Sequence, residues 1–368
     1  MPTTTGGNPQ GLSKAFNLIN YNSKSWSLSE NIYGYEVDFI ISKKSDSKFI
    51  RIIKRLFALR YLFISDIVFF SFGSTLFKPN PITVNKKLHN LTLKFCNLFL
   101  SILQNLELYI LKMRNVLIMV QYQGDDARQG DFCLDNYDTS IAHKVRDNDY
   151  YNKDSDQLKR KQITLLSKFC HKIYALNPDL MNVLPAKAEF MPYGHFFPQD
   201  YKPIYNQIEK RPLRIGHAPT HRGAKGSEFV IDTMNKLKIS GYDFEFILIE
   251  GLKNEKALKR YEYLDILVDQ LYAGWYGGLA VECMALGKPV CSYIRESDLG
   301  FIPQEMCNDL PIVNVTEDTL EEKLVNILEM DREELLSLAK VSRHYVEKWH
   351  DPIKIVEKLD LEIQHFFT

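Results

Sequence analysis

Asp269-Gln-Leu-Tyr-Ala-Gly-Trp-Tyr-Gly-Gly-Leu-Ala-Val-Glu-Cys-Met-Ala-Leu-Gly-Lys-Pro-Val290 is the stretch on which the reading of this chain turns. Gly277 and Gly278 open a helix that runs over Leu279 to Leu286 and is closed by Gly287 and Pro289. Glycines at a helix N-terminus let a ligand approach the backbone, and the amides and helix dipole there attract phosphate. Glu282, in the opening turns, offers a carboxylate to vicinal ribose hydroxyls, as acidic residues do in dinucleotide sites. The same glutamate is also favourable for the helix dipole alone.

Working outward, short apolar strands alternate with helices. Leu213–His217, Phe244–Ile249, Asp265–Asp269 and Val290–Ile294 read as strands, and Ser227 onward and Asn254–Tyr263 as helices, with Ser227 expected as an N-cap. That alternation predicts a parallel sheet covered on both faces, with ligands beyond the carboxyl ends of the strands. The N-terminal half repeats it less regularly, with strands expected at Tyr35–Ile41, Asp66–Phe70, Asn115–Val120 and Lys172–Leu176. Prolines between Tyr193 and Arg211 mark a boundary, which predicts an N-terminal domain over 1–200 and a C-terminal domain over 201–368. The last helix, about Pro352–His365, is expected to pack back on the N-terminal domain.

The segment Glu282-Cys-Met-Ala-Leu-Gly-Lys-Pro-Val290 resembles the donor-site signature of retaining glycosyltransferases of the GT-B fold, glycosyl transferases group 1 of family-4-like, bacterial surface-glycan type. The resemblance implies an α/β chain of two Rossmann-like domains facing a cleft, and a glutamate that binds the nucleotide ribose. The family's second glutamate, eight positions earlier and in contact with the sugar, corresponds here to Gly274. In the same family the first C-domain strand leads to a loop ending in Lys-Gly, preceded by another cation. His217-Ala-Pro-Thr-His-Arg-Gly-Ala-Lys-Gly226 is similar, so Lys225 and Arg222 are the expected diphosphate partners and His217 an expected donor contact. A departing nucleoside diphosphate is a polyanion, which is why fixed cations serve the transition state.

On the acceptor side the resemblance implies that Gly6, Gly7 and Ser13 belong to a glycine loop, here with the first strand nearly absent. It also implies that Asp125, Asp126 and Arg128, after the strand ending at Val120, face the cleft. Turn formation alone also explains Asx residues after Gly124. The implied reaction moves a sugar from a nucleotide-sugar donor to a hydroxyl, on a polysaccharide or lipid-linked glycan. No metal or other cofactor is expected. A nucleotide-sugar epimerase or hydrolase of the same fold, or a non-catalytic membrane-associated scaffold, remains the alternative.

Composition narrows the rest. Forty-six Lys and Arg balance 46 Asp and Glu, which argues against a nucleic-acid binder with a dominant basic field. Six cysteines without a C-x-x-C pair are expected as reduced, buried or half-buried thiols. The first residues lack the basic and apolar regions of a signal peptide, so a cytoplasmic protein is expected. Arg51, Lys54, Arg55 and Arg60 recur at helical steps beside an apolar strip. Segment 48–60 is therefore an expected contact with the inner face of the membrane. Leu91–Met113 carries too many polar residues for a spanning segment and is expected as an amphipathic or largely buried helix.

Overall fold

The computed structural model describes residues 6–30, 34–43, 45–79, 87–145, 151–205 and 211–368, without the side chains of 87–94. Contacts divide the chain into two units, the described parts of 1–136, 146–192 and 356–368 in the first and of 137–145 and 193–355 in the second.

In unit one, β1 (Trp26–Ser27) and β2 (Phe39–Ile40) form a small parallel pair. Only these two residues of the expected 35–41 strand pair in this way. The main sheet has the order β3 (Ile67–Ser71), β4 (Leu117–Tyr122), β5 (Lys172–Ala175), β6 (Ala188–Phe190), all parallel. Every residue of β4 is buried, as a strand covered on both faces requires. Helices α1 (Asn8–Leu18), α2 (Lys48–Phe63), α3 (Lys87–Met113) and α4 (Lys153–Phe169) accompany it. Phe70, Ile118, Val120, Leu108, Leu111 and Leu166 join sheet and helices in one core.

The expected glycine loop is largely helix: Gly6 and Gly7 make a turn, and α1 starts at Asn8 with Pro9 in its first turn. Proline there lacks only an N–H that the helix would not use.

Unit two holds a five-stranded parallel sheet in the order β11 (Val313–Asn314), β10 (Val290–Ser292), β9 (Ile266–Val268), β7 (Leu213–His217), β8 (Phe244–Leu248). Its helices include α5 (Arg222–Lys225), α6 (Ser227–Ile239), α7 (Asn254–Tyr263), α8 (Gly278–Ala285) and α9 (Arg332–Trp349). Ser227 is not the cap of α6: Gly226, at φ 77°, takes that position without a side-chain cap. The last helix, α10 (Pro352–Phe367), puts Glu362 where Tyr174 Oη donates to it at 2.6 Å.

On the inward face of α3, Glu107 accepts from the backbone N–H groups of Leu76 at 3.1 Å and Phe77 at 3.3 Å. Burial pushes this carboxyl up to about 8 from 4.5, against the pull of those amides. The folded chain therefore keeps a proton that the unfolded chain releases, and stability falls as pH rises from about 4.5 to about 8, by ~1.4 kcal/mol per unit. Glu107→Gln should remove that slope. Its melting temperature relative to wild type should climb between pH 5 and pH 8, and a constant offset in differential scanning fluorimetry would contradict the assignment.

Candidate donor-binding edge

Strands β7 and β9 are neighbours, so their carboxyl ends bring residues 217 and 269 together. Asp269 is fully buried, and each of its oxygens has a job. Oδ1 accepts from Lys225 Nζ at 2.6 Å, and Oδ2 accepts from the Gly277 N–H at 3.0 Å. One carboxylate thus ties the end of α5 to the residue that opens α8. Lys225 Nζ lies 3.7 Å from where a Cβ on Gly277 would stand, so the ammonium sits close beside this glycine.

His217 is engaged inside the unit. Its Nδ1 donates to the Val268 carbonyl at 2.8 Å, which leaves Nε2 to accept from Ser227 Oγ, also at 2.8 Å. Burial holds its pKa below the ordinary value, with Lys225 adding to the effect. Both nitrogens being spent, His217 is a strut under the loop rather than the donor contact expected of it. The loop itself is partly α5, whose first turn is capped by the His221 ring accepting from Ala224 N at 3.1 Å.

Arg222 does not share the surroundings of Lys225. It is 47% exposed, donates to both oxygens of Glu250 at 2.8 and 2.7 Å, and reaches Glu228 at 3.0 Å. Two carboxylates therefore already neutralise the expected second cation.

Glu282 is the fifth residue of α8, beyond the first turn, and only 4% exposed. A favourable helix dipole does not account for a carboxylate taken out of water, since burial is costly unless the charge is compensated. Asn254, at the start of α7, donates to its Oε1 at 3.1 Å, and His195 Nε2 stands 3.4 Å away. The His195 ring also underlies Gly278: a Cβ there would lie 3.1 Å from its Cε1. Both ring nitrogens are buried without a hydrogen-bond partner. Helix α8 opens on Gly277 with no side-chain cap from that residue, and the protein anion at its N-terminus is Asp269, on the Gly277 amide. Sequence reading missed three members of this group. Asp269 headed the quoted stretch, whereas His195 and Asn254 carried no signal beyond following Gly194 and opening a helix.

Gly274 is more than a missing glutamate. Its φ is +77°, and a Cβ would stand 2.5 Å from Arg295 Nη1 and 2.7 Å from Cζ. Arg295 is itself fixed, donating to Asp298 at 3.0 Å and to the Thr139 carbonyl at 2.9 Å, with its guanidinium 3.6 Å over the Tyr137 ring. The position is closed to a side chain by both backbone and neighbour.

Most of the expected acceptor residues of unit one are engaged by neighbouring protein groups. Ser13 is buried in α1 and meets Ser23 Oγ at 2.9 Å. Gly7, at φ 67°, presses on the Tyr35 ring. Asp126 accepts from the N–H groups of Gln123 and Gly124 at 3.0 and 2.8 Å, closing the turn after β4. Burial raises its pKa to about 6, with Lys78 opposing. Arg128 donates twice to Asp179, at 2.6 and 3.1 Å, and once to Asp125 at 3.3 Å. A buried guanidinium needs such partners, and Asp179, 51 residues away, was not foreseen. Asp125 alone of the three stays partly exposed.

No protein-family model and no curated protein matches the sequence. Solved structures do match the fold. HepE from Anabaena, in complex with UDP-glucose, is 10% identical with a TM-score of 0.59, over 99% of this chain and 98% of its own. Sucrose-phosphate synthase from Thermosynechococcus elongatus is 11% identical with a TM-score of 0.59 over the same shares. An alpha-glucosyltransferase in complex with UDP and a 13-mer DNA is 11% identical with a TM-score of 0.58, over 100% and 98%. The chain therefore has the GT-B fold.

Gly274→Ala should lower unit-two stability by about 1–3 kcal/mol, the cost of forcing a side chain into left-handed backbone beside a fixed guanidinium. Calorimetry that found wild-type melting would contradict the closed position described here.

Proposed function

We propose that this chain is a glycosyltransferase, moving a sugar from a nucleotide-sugar donor to a hydroxyl acceptor with retention of configuration. The observation that carries the reading is the buried Glu282 carboxylate, on an uncapped glycine-opened helix whose first residues are tied through Asp269 to Lys225. Glu282 accepts from the ribose hydroxyls, with Asn254 holding its orientation and the His195 ring beside it. The diphosphate lies across the N-terminus of α8. An ammonium carries three donors, and Asp269 takes one, so Lys225 keeps others for phosphate oxygens.

As the bond between C1 and the leaving oxygen breaks, its electron pair goes to the diphosphate, where these groups stabilise it. The acceptor oxygen forms the new bond to C1 and gives its proton to a phosphate oxygen on the same face. No separate protein base is needed, and charge compensation comes from protein groups with no metal assigned. Gly6, Gly7 and Asp125 remain the acceptor-side residues of this reading. The acceptor is a polysaccharide or lipid-linked glycan, met in the cytoplasm, with segment 48–60 as the contact with the membrane's inner face. The ligands in the HepE and alpha-glucosyltransferase structures make uridine nucleotides the first to test.

One observation favours a second reading, a non-catalytic scaffold that has kept the fold: Arg295 closes the Gly274 position.

Thermal unfolding with UDP, GDP, ADP and CMP separates them. A nucleotide at about a hundred times its Kd should add ~2.7 kcal/mol to wild type, and Glu282→Ala should lose that response. If no nucleotide stabilises the wild-type chain, the transferase reading fails and the scaffold stands.

A further inference from the structure

Of the twenty-four large apolar residues that stand exposed among the described residues, twelve lie on α2, its C-cap Ile64, and α3. The two helices pack on each other within unit one. Along α3, Phe95, Leu98, Ile102, Leu106, Tyr109 and Met113 are all about half exposed or more, at steps of three and four, which is one full face of a helix. The opposite face, with Leu100, Leu108 and Leu111, is in the core. Helix α3 is thus apolar on both sides but covered on one, so of the expected amphipathic or largely buried helix, burial holds for one face only. An ordinary surface helix shows a polar outer face, and apolar patches on this scale mark an interaction site. Phe49 and Phe57, 72% and 68% exposed, extend the face onto α2.

The charge around this face has one sign. Helix α2 carries Lys48, Arg51, Lys54, Arg55 and Arg60 and no acidic residue, whereas the chain as a whole is neutral. Lys112 and Arg114 stand exposed at the end of α3, whose one acid from Phe95 onward, Glu107, is buried. Asp46 pairs with Lys54 at 2.7 Å and Arg55 interacts with the buried Glu107, while Lys48 and Arg60 stand exposed. A second copy is a poor occupant, because two-fold pairing would set like cationic edges against each other. Among the described residues no helix is long and apolar enough to cross a membrane.

We propose that the joint outer face of α2 and α3 docks on an anionic lipid bilayer, with the α3 side chains entering the acyl boundary and the α2 cations meeting headgroup charge. This deepens the membrane contact assigned above to residues 48–60, adds α3 as the inserting element, and needs nothing of the donor chemistry.

Sedimentation of the full chain with vesicles tests it, using phosphatidylcholine alone or mixed with phosphatidylglycerol. Wild type should bind the mixed vesicles, release in high salt, and leave the neutral ones. Ile102→Glu with Leu106→Glu, and separately Lys48→Glu with Arg60→Glu, should each weaken binding by about tenfold or more. All four positions except Lys48 and Arg60 are apolar, and all are exposed, so both variants should melt as wild type and keep its nucleotide response. No binding to mixed vesicles, equal binding to neutral ones, or binding unchanged in the variants would overturn the proposal. So would a concentration-dependent dimer abolished by the same substitutions. Lost binding with an intact nucleotide response separates this surface from the donor edge.

Discussion

The buried carboxylate of Asp269 is the constraint on which the candidate site depends. It directly follows β9 in the middle of the sheet and meets, on one side, a cation from the segment after β7 and, on the other, the amide that opens α8. Neither partner is held as well by anything else described. A buried carboxylate without both would carry a desolvation cost of several kcal/mol, so the loops at this edge are locked to one another. Pre-organisation of that kind is what an anion-stabilising site requires, because donors already in place need not reorganise as charge develops.

Around that lock the unit is built from satisfied polar groups. His217 uses both nitrogens, and Ser227 and Val268 are its partners. Arg295 spreads its guanidinium over Tyr137, Asp298 and Thr139. Against this background the pair of Glu282 and His195 stands apart. A carboxylate that is nearly inaccessible faces an imidazole whose nitrogens find no hydrogen bond. Buried polar groups in native proteins are generally satisfied, so the His195 nitrogens beside Glu282 are an exception within this unit. The Gly274 position shows the opposite case, a space taken by a neighbouring guanidinium.

Much of this was legible in the sequence where a signal was local. Leu213–His217 and Asn254–Tyr263 coincide with observed elements, because each has its apolar period and its end signals within a few residues. Glu282 and Lys225 were legible through the helix-opening glycines and the Lys-Gly ending. What was not legible depends on partners distant in the chain. Arg222 read as a diphosphate partner because its own partner Glu250 lies 28 residues on, and Arg128 read as facing the cleft because Asp179 lies 51 residues on. Asp269 and His195 gain meaning only once the sheet order puts β9 beside β7 and the segment after Pro192 against α8. The outer face of α3 was hidden for a different reason: periodicity reports that both faces are apolar, but not which one the core covers.

A crystal structure of the chain with a bound nucleoside diphosphate, UDP first, tests the central claim most directly. The account predicts the ribose hydroxyls within hydrogen-bond reach of the Glu282 carboxylate, and the diphosphate on Lys225 and the first turn of α8 beyond Gly277. A nucleotide bound elsewhere, with no ribose hydroxyl near Glu282, would contradict it.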